Sequence, residues 1–490
     1  MKKPIGLFAC LCAGLAFAAE SETNLVAEAE SGPVFNAGAD LRVRQELMDN
    51  IPGTPGDPYS LNPKSRTIND NHFRIRPRVW FAVEQGPLRL YTRIADEFRE
   101  YPVKNHRKRK NRNYNTPDEI FLDNLYLDGK GLTADWLKDM GIDNVDFRVG
   151  RQDLLEGPHS VLGLDNMLGE GTPVDGSRSF FTDMARTTLH FDDVRKLDLF
   201  FLYGQGHTNL RYGTRQGRGR GLNKVNMLDG NGRDEWGAGA IYSDELIERH
   251  LPYKFYSIYK RTTDYWSLGR HMSSTELMTF GLRLEPEFDD HWGMVLDGAR
   301  QVGRIVDGNR QNTGWYGYLE GNYRPDFLRE YKTKFSLCST YYSGDKHRTD
   351  YRHDNDQGWD PLWGRYTQDS ELLVYGNLWG NCWWSNMIYT KLKATMVFGP
   401  HHAMYAYSGP MFAAVQDGIG HADGKGDSMY KGWLSAARYD FPIRLAPKKA
   451  MGWDRFEFFG HVVAELFNPG DYFESSKPTY FFRWQIDMRF

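Results

Sequence analysis

In the final segment of the chain, Tyr480, Phe482, Trp484, Ile486, Met488 and Phe490 alternate with Arg483, Gln485, Asp487 and Arg489. Successive side chains of a strand point to opposite faces, so this segment predicts a strand with one apolar and one polar side. The same period recurs upstream with a basic polar face. Phe35, Ala37, Ala39, Leu41 and Val43 alternate with Asn36, Asp40, Arg42 and Arg44, and Phe73, Ile75, Val79, Phe81 and Val83 alternate with Arg74, Arg76 and Arg78. After a Gln85-Gly86-Pro87 turn, Leu88, Leu90 and Ile94 oppose Arg89, Tyr91 and Arg93. Farther along, Arg148, Arg186 and Arg283 are each flanked by alternating apolar residues, as are Lys332 and Lys334, then Lys391 and Lys393. Pro77 cannot donate to a ladder, so it predicts a bulge or a strand end within its segment.

Such segments, with turns between them, fall near 34–45, 72–84, 88–100, 119–128, 145–153, 185–192, 197–205, 234–243, 250–261, 274–285, 291–302, 313–323, 330–343, 387–398, 403–415, 430–441, 456–467 and 480–490, which makes eighteen. A further strand-like piece, Glu371 to Trp384, would make the count odd, which a bacterial single-chain barrel is not. It is therefore assigned to a long external loop. After the N-terminus no run of about 18 apolar residues occurs, which excludes a bundle of membrane-spanning helices. The predicted fold is all-β: a transmembrane, antiparallel, up-and-down β-barrel of about eighteen strands over 34–490, with short periplasmic turns and long extracellular loops. Eighteen strands leave an aqueous interior. A one-residue slip would put every cation into lipid, at roughly 2 to 4 kcal/mol each near the midplane, so the cations must face inward.

Composition sharpens this picture. Of 490 residues, 40% are hydrophobic and 14% aromatic, which excludes a disordered chain. Mean hydropathy is -0.62, as expected where the apolar band occupies only every second residue. The N-terminus reads Met1-Lys2-Lys3, an apolar stretch to Phe17, and Ala16-Phe17-Ala18. This pattern predicts a secretory signal over 1–18, cleaved after Ala18 or Ala19, then an N-terminal periplasmic segment over 19–33 and an outer-membrane destination. Cys10 after Leu7-Phe8-Ala9 loosely matches a lipoprotein box. Cys338 and Cys382 remain in the mature chain, either bonded or as two free thiols.

The chemistry this predicts is electrostatic. Arg42, Arg44, Arg74, Arg76, Arg78, Arg89, Arg93, Arg148, Arg186, Arg283, Lys332, Lys334, Lys391, Lys393, Arg438, Arg483 and Arg489 fall on the inferred lumen face. Rings of such cations select anions, and guanidinium forks suit carboxylates. The alternative is that they brace the wall against inward acids such as Asp40, Glu46, Glu97, Asp146 and Asp487. The stretch Lys104 to Arg112 is a dense basic loop, read either as a site for anionic polymer or lipopolysaccharide phosphate or as a solvated loop. Catalytic signals are thin: Gly217 to Gly221 lacks a nucleotide loop's context, His401-His402 has no third metal ligand, and Glu457, His461 and Glu465 stand about 13 Å apart along one strand. The reading is a non-enzyme without cofactor, in contact with outer-membrane lipid, the barrel-assembly machinery and an anionic carbohydrate solute, but not nucleic acid. Trp484 and the terminal Phe490 form the candidate assembly signal. Two function classes stay open: a channel for anions, or a plugged barrel serving as a surface-binding or structural protein.

The chain also resembles the alginate-export outer-membrane porins. The resemblance is carried by Phe147-Arg148-Val149-Gly150-Arg151-Gln152 after Tyr126-Leu127-Asp128, by Val174 to Arg178, by Ser343-Gly344-Asp345 with Asp360-Pro361-Leu362, and by Leu466-Phe467-Asn468-Pro469-Gly470-Asp471. It implies a monomeric eighteen-stranded barrel with an arginine-rich constriction that passes a polyuronate. Arg148, Arg151 and Gln152 are its matched positions, which adds Arg151 to the pore-lining candidates.

Overall fold

In the computed structural model the alternation is realised as a closed wall. The structure describes residues 32–51, 68–96, 98–100, 102, 121–153, 181–204, 235–245, 251–263, 265–267, 270–272, 274–305, 310–346, 355–360, 362, 370, 385–416, 428–443, 457–472 and 477–490. The strands are β1 Val34–Ile51, β2 Ile68–Gln85, β3 Leu88–Ala95 resumed by Phe98–Glu100, β4 Phe121–Leu132, β5 Asn144–Asp153, β6 Phe181–His190, β7 Arg195–Gly204, β8 Glu235–Asp244 and β9 Tyr253–Thr262. They continue as β10 Thr275–Leu284, β11 Trp292–Ile305, β12 Trp315–Tyr323, β13 Lys334–Tyr342, β14 Met387–Gly399, β15 His402–Phe412, β16 Tyr430–Pro442, β17 Glu457–Pro469 and β18 Thr479–Arg489. Each pairs antiparallel with the next, and β18 closes onto β1 from Asp40 opposite Arg489 to Asp49 opposite Tyr480. The result is an eighteen-stranded transmembrane barrel with short periplasmic turns and long extracellular loops. Closure leaves no strand edge, which satisfies the backbone where lipid offers no hydrogen bonds.

Side chains sort as the alternation predicts. Phe81, Leu90, Leu127, Leu282, Leu337, Leu392 and Phe482 are exposed on the outer face, where the surrounding medium is lipid. Rings collect on that face near both ends. Trp236 meets Tyr259 toward the loop end, and Trp292 meets Tyr323 while Phe398 meets His402 toward the turn end. These are the two aromatic girdles of a membrane barrel. A one-turn helix, α1 (Asp135–Asp139), follows β4 and buries Leu137 with Ile142 and Val145, the last on the same face of β5 as the outward Val149.

Pro77 produces the predicted bulge, but in its neighbour. Pro77 stays in β2 opposite Leu41, while β3 breaks beside it and Asp96 donates its N–H to the Pro77 carbonyl at 3.1 Å. One strand expectation fails at its start. Residues 330–333 do not extend β13, because Asp326–Tyr331 is a 3-10 helix and Lys332 caps it in the left-handed conformation (φ 45). The signal over 1–18, the basic loop 104–112, Gly217 to Gly221, Glu371 to Trp384 and Cys382 lie outside the described residues. Cys338 is a buried free thiol.

Candidate functional site

The inner face divides into two walls. On β1, β2 and β18, arginines converge on one carboxylate. Around the Glu46 carboxylate lie Arg44 Nε at 2.9 Å, Arg74 Nη1 at 3.5 Å and Arg483 Nη1 at 3.8 Å, with His72 Nε2 at 3.1 Å. All five side chains are fully buried, as is Arg42, and Arg76 is nearly so. The cross-strand register sets this meeting, since it places Arg44 opposite Arg74 and Glu46 opposite both His72 and Arg483. Three guanidinium groups thus converge on one carboxylate among the described residues.

Next to it, across β2 to β7, the inward cations reach half-exposed positions, each with an acid. Arg78 Nε holds Asp40 at 2.8 Å, Arg93 Nε holds Asp123 at 2.5 Å, Arg148 Nη2 holds Asp128 at 2.6 Å and Arg186 Nη2 holds Asp198 at 3.1 Å. Arg148 and Arg186 are direct cross-strand neighbours, and their side chains are 33% and 29% exposed, which keeps them within reach of a solute. A row of inward rings positions Arg148. Trp80 lies over Gly38, where any Cβ would sit 2.6 Å from the indole. Trp80 stacks on Tyr91 (6.1 Å), Tyr91 on Tyr126 (5.0 Å), and the Arg148 guanidinium covers Tyr126 at 4.1 Å. Arg89 lies nearer the turns, over Tyr91 and 3.1 Å from Glu84.

The opposite wall, β7 to β13, is largely apolar inside. Phe200, Leu202, Ile241, Tyr256, Ile258, Tyr316, Tyr318 and Tyr342 form one buried cluster, and Trp359 and Leu362 from the connection after β13 pack onto it. Lys260 Nζ anchors Asp360 of that connection at 3.0 Å and also donates to the Leu362 carbonyl. Gln301 holds the Asp360 backbone through both its amide atoms. Farther on, the Ser370 hydroxyl donates to Glu465 of β17. A connection expected outside therefore reaches inward-facing residues on two sides of the lumen, and the interior is not simply aqueous.

The remaining predicted cations sort as follows. Lys334 Nζ and Lys393 Nζ flank Glu320 at 3.1 and 4.0 Å, a second place where two cations meet one acid. Lys391 is buried between the rings of Tyr389 and Tyr407. Arg283 pairs with Glu285 and Asp297, Arg438 with Asp440, and Arg489 lies beside Glu457 at the periplasmic mouth.

Two candidates are misplaced. Lys332 sits exposed in a periplasmic turn, because β13 begins only at Lys334. Arg151 shares the outward face with Leu125 and Val149, since Gln152 takes the inward position and hydrogen-bonds the Met184 carbonyl at 2.9 Å. Arg151 pairs there with Asp183 at 2.9 and 3.1 Å.

Lys260 and Lys431 were missed. The inward face of β9 reads Tyr256, Ile258, Lys260, so its apolar members resemble a lipid face. Lys431 turns inward beside Gly432, whose φ of 136 disturbs the alternation, and donates to the Asn386 carbonyl at 2.7 Å. The Glu457, His461 and Glu465 series forms no relay: His461 faces Asp440 at 3.9 Å while Glu465 takes Ser370. Among the described residues no group of three or more His, Cys, Asp or Glu is placed to hold a metal. Trp484 stands on the outer face of β18, donating to Gln45 at 2.8 Å, and the Phe490 backbone closes onto Ala39.

The class this defines is a closed, eighteen-stranded transmembrane β-barrel with a charged inner wall. In fold the chain is similar to Pseudomonas aeruginosa OccK3 (OpdO), at 10% identity and a TM-score of 0.52, over 93% of this chain and 96% of that one. It is similar in the same way to OpdK of that organism, solved with vanillate, at 11% identity and a TM-score of 0.51 over 93% and 98%. OccK5 (OpdH) gives 8% identity and a TM-score of 0.51 over 93% and 98%. No family model matches the chain, and no curated protein does.

Proposed function

We propose that the barrel is an outer-membrane channel passing anionic solutes, acidic sugars or an anionic polysaccharide, along its Arg- and Lys-lined inner wall. The observation that carries this reading is the convergence of cations on single inward carboxylates, at Glu46 and again at Glu320, beside the half-exposed Arg148 and Arg186. A passing carboxylate exchanges part of its hydration for these guanidinium groups, weakly and at several sites, so it can leave again. The resemblance to alginate-export porins, carried here by Arg148 and Gln152, favours a uronate. In this reading the chain works as a monomer, inserted by assembly machinery that reads Trp484 and Phe490.

One observation favours a second reading, a plugged barrel whose loops do the work: the inward connection held by Lys260, Gln301 and Glu465. Planar-bilayer current in a salt gradient separates the two. A unit charge about 7 Å from an ion contributes about 0.3 kcal/mol after screening in 0.1 M salt, with opposite sign for anions and cations. Each of Arg148→Ser and Arg186→Ser should therefore lower the anion-to-cation permeability ratio about threefold. Absence of current in the unaltered protein supports the plug, and cation selectivity that neither variant moves sinks the basic-channel reading.

A further inference from the structure

The outer wall carries cations that transport has no use for. On β9, β10 and β11, Arg261, Glu276 and Arg304 form one cross-strand row. They share a face with Phe255, Phe280 and Val302, which are exposed to the membrane side. Arg261 Nε lies 3.4 Å from Glu276 Oε1, and Arg304 Nη2 lies 3.1 Å from Glu276 Oε2. Two guanidinium groups thus share one carboxylate, and the Arg304 side chain is 60% exposed. On the same face Arg300 lies over the Trp315 ring at 4.2 Å and has no carboxylate partner among the described residues. By contrast, the outward Arg151 is matched one to one by Asp183.

Position decides what these charges meet. An outward arginine costs about 2 to 4 kcal/mol at the membrane midplane and about 0 to 1 near an interface. The row belongs to the interface at the loop end, because Trp236 under Arg261, Tyr259 beside it and Trp315 under Arg300 make up the aromatic girdle there. What covers an outer-membrane barrel at that level is the outer leaflet, whose glycolipid headgroups are phosphorylated. Arg300 and Arg304 are four residues apart, about 13 Å along β11, so the patch offers two anion positions. Guanidinium groups pair with phosphate by two parallel hydrogen bonds.

We propose that Arg261, Arg300 and Arg304 form a docking patch for the phosphorylated disaccharide headgroup of one lipopolysaccharide molecule. The patch is independent of the lumen, so it stands or falls apart from the transport reading.

The test uses the full purified chain in detergent, with bound lipid counted by native mass spectrometry. The probes are bisphosphorylated lipid A, its dephosphorylated form and phosphatidylglycerol. Replacing Arg261, Arg300 and Arg304 together by Gln should lower lipid A retention at least tenfold, to the level of the dephosphorylated form. Arg151→Gln should leave retention unchanged. Glu276→Gln, which removes only the competing carboxylate, should raise it, and this variant keeps the test decisive if the triple variant fails to fold. Undiminished retention by a folded triple variant, equal binding of dephosphorylated lipid A, displacement by equimolar phosphatidylglycerol, or retention not raised by Glu276→Gln would each overturn the proposal.

Discussion

The sharpest consequence of the inner wall concerns Glu46. The perturbation is Glu46→Gln, which keeps shape and removes charge from the point where Arg44, Arg74 and Arg483 converge at 2.9, 3.5 and 3.8 Å. At an effective dielectric near 20, one such contact at about 3.5 Å has a gross attraction of about 5 kcal/mol. The net loss is smaller, because these side chains keep further contacts and three like charges already repel one another. Breaking a buried ion cluster by removing one partner costs about 3 to 5 kcal/mol, and the lower end applies here. Arg483→Gln removes the most distant of the three cations and relieves repulsion, so it should cost about 1 kcal/mol. The sharing of Glu46 by three cations therefore predicts an asymmetry, with its loss costing about three times as much as loss of Arg483. Urea unfolding of the folded barrel in lipid vesicles, read by heat-modified electrophoretic mobility, gives both numbers. Equal costs for the two variants would refute the reasoning, because the cluster would then be a set of independent pairs.

Other predictions follow from particular contacts. Gly150→Ala should destabilise the barrel by about 3 kcal/mol or more in the same unfolding assay, since φ is 128 and the new Cβ would lie 2.2 Å from the Leu125 carbonyl oxygen. Lys260→Met breaks the anchor on Asp360, worth about 1.5 to 3 kcal/mol for charged hydrogen bonds, so single-channel conductance should rise and fluctuate more, and an unchanged trace would show that the connection does not occlude the path. His291 spans two periplasmic turns by its contact with Asp326 at 2.9 Å, and this hydrogen bond raises its pKa above the usual imidazole value. Because the folded value is the higher one, the contribution is complete below about pH 6.5 and fades as pH rises through the folded value. Unfolding midpoints across pH 5 to 9 should show that fall, and His291→Gln should abolish it.

Alternation along the chain was enough to place most inward cations, because a period of two is a local property and lipid enforces it on every strand. It failed where local geometry changed the phase or ended the strand. Arg151 is not such a failure: the resemblance alone made it a pore candidate, while its odd spacing of three from Arg148 places it by alternation on the outer face, where it stands. At Lys332 a 3-10 helix, which carries no strand period, replaces the expected start of β13. At Lys260 the inward neighbours Tyr256 and Ile258 are apolar, because they receive Trp359 and Leu362 from a distant connection, and no local pattern announces that.

Partners were less legible than faces. The strand carrying Arg74, Arg76 and Arg78 contains no interleaved acid, and read alone it predicts a bare ladder of positive charge. The register with β1 supplies Glu46 to Arg74 and Asp40 to Arg78, so part of that ladder is bracing. At Glu46 several strands aim cations at one acid, which is a property of closure: Arg483 and Arg44 are separated by nearly the whole chain and meet because β18 pairs with β1. The rigid, acid-matched pairs then have a definite role. Asp128 and the Tyr126 ring hold Arg148 in place on the inner wall, so in the proposed channel its guanidinium would meet an anion without first having to be ordered, and the attraction would stay weak enough for release.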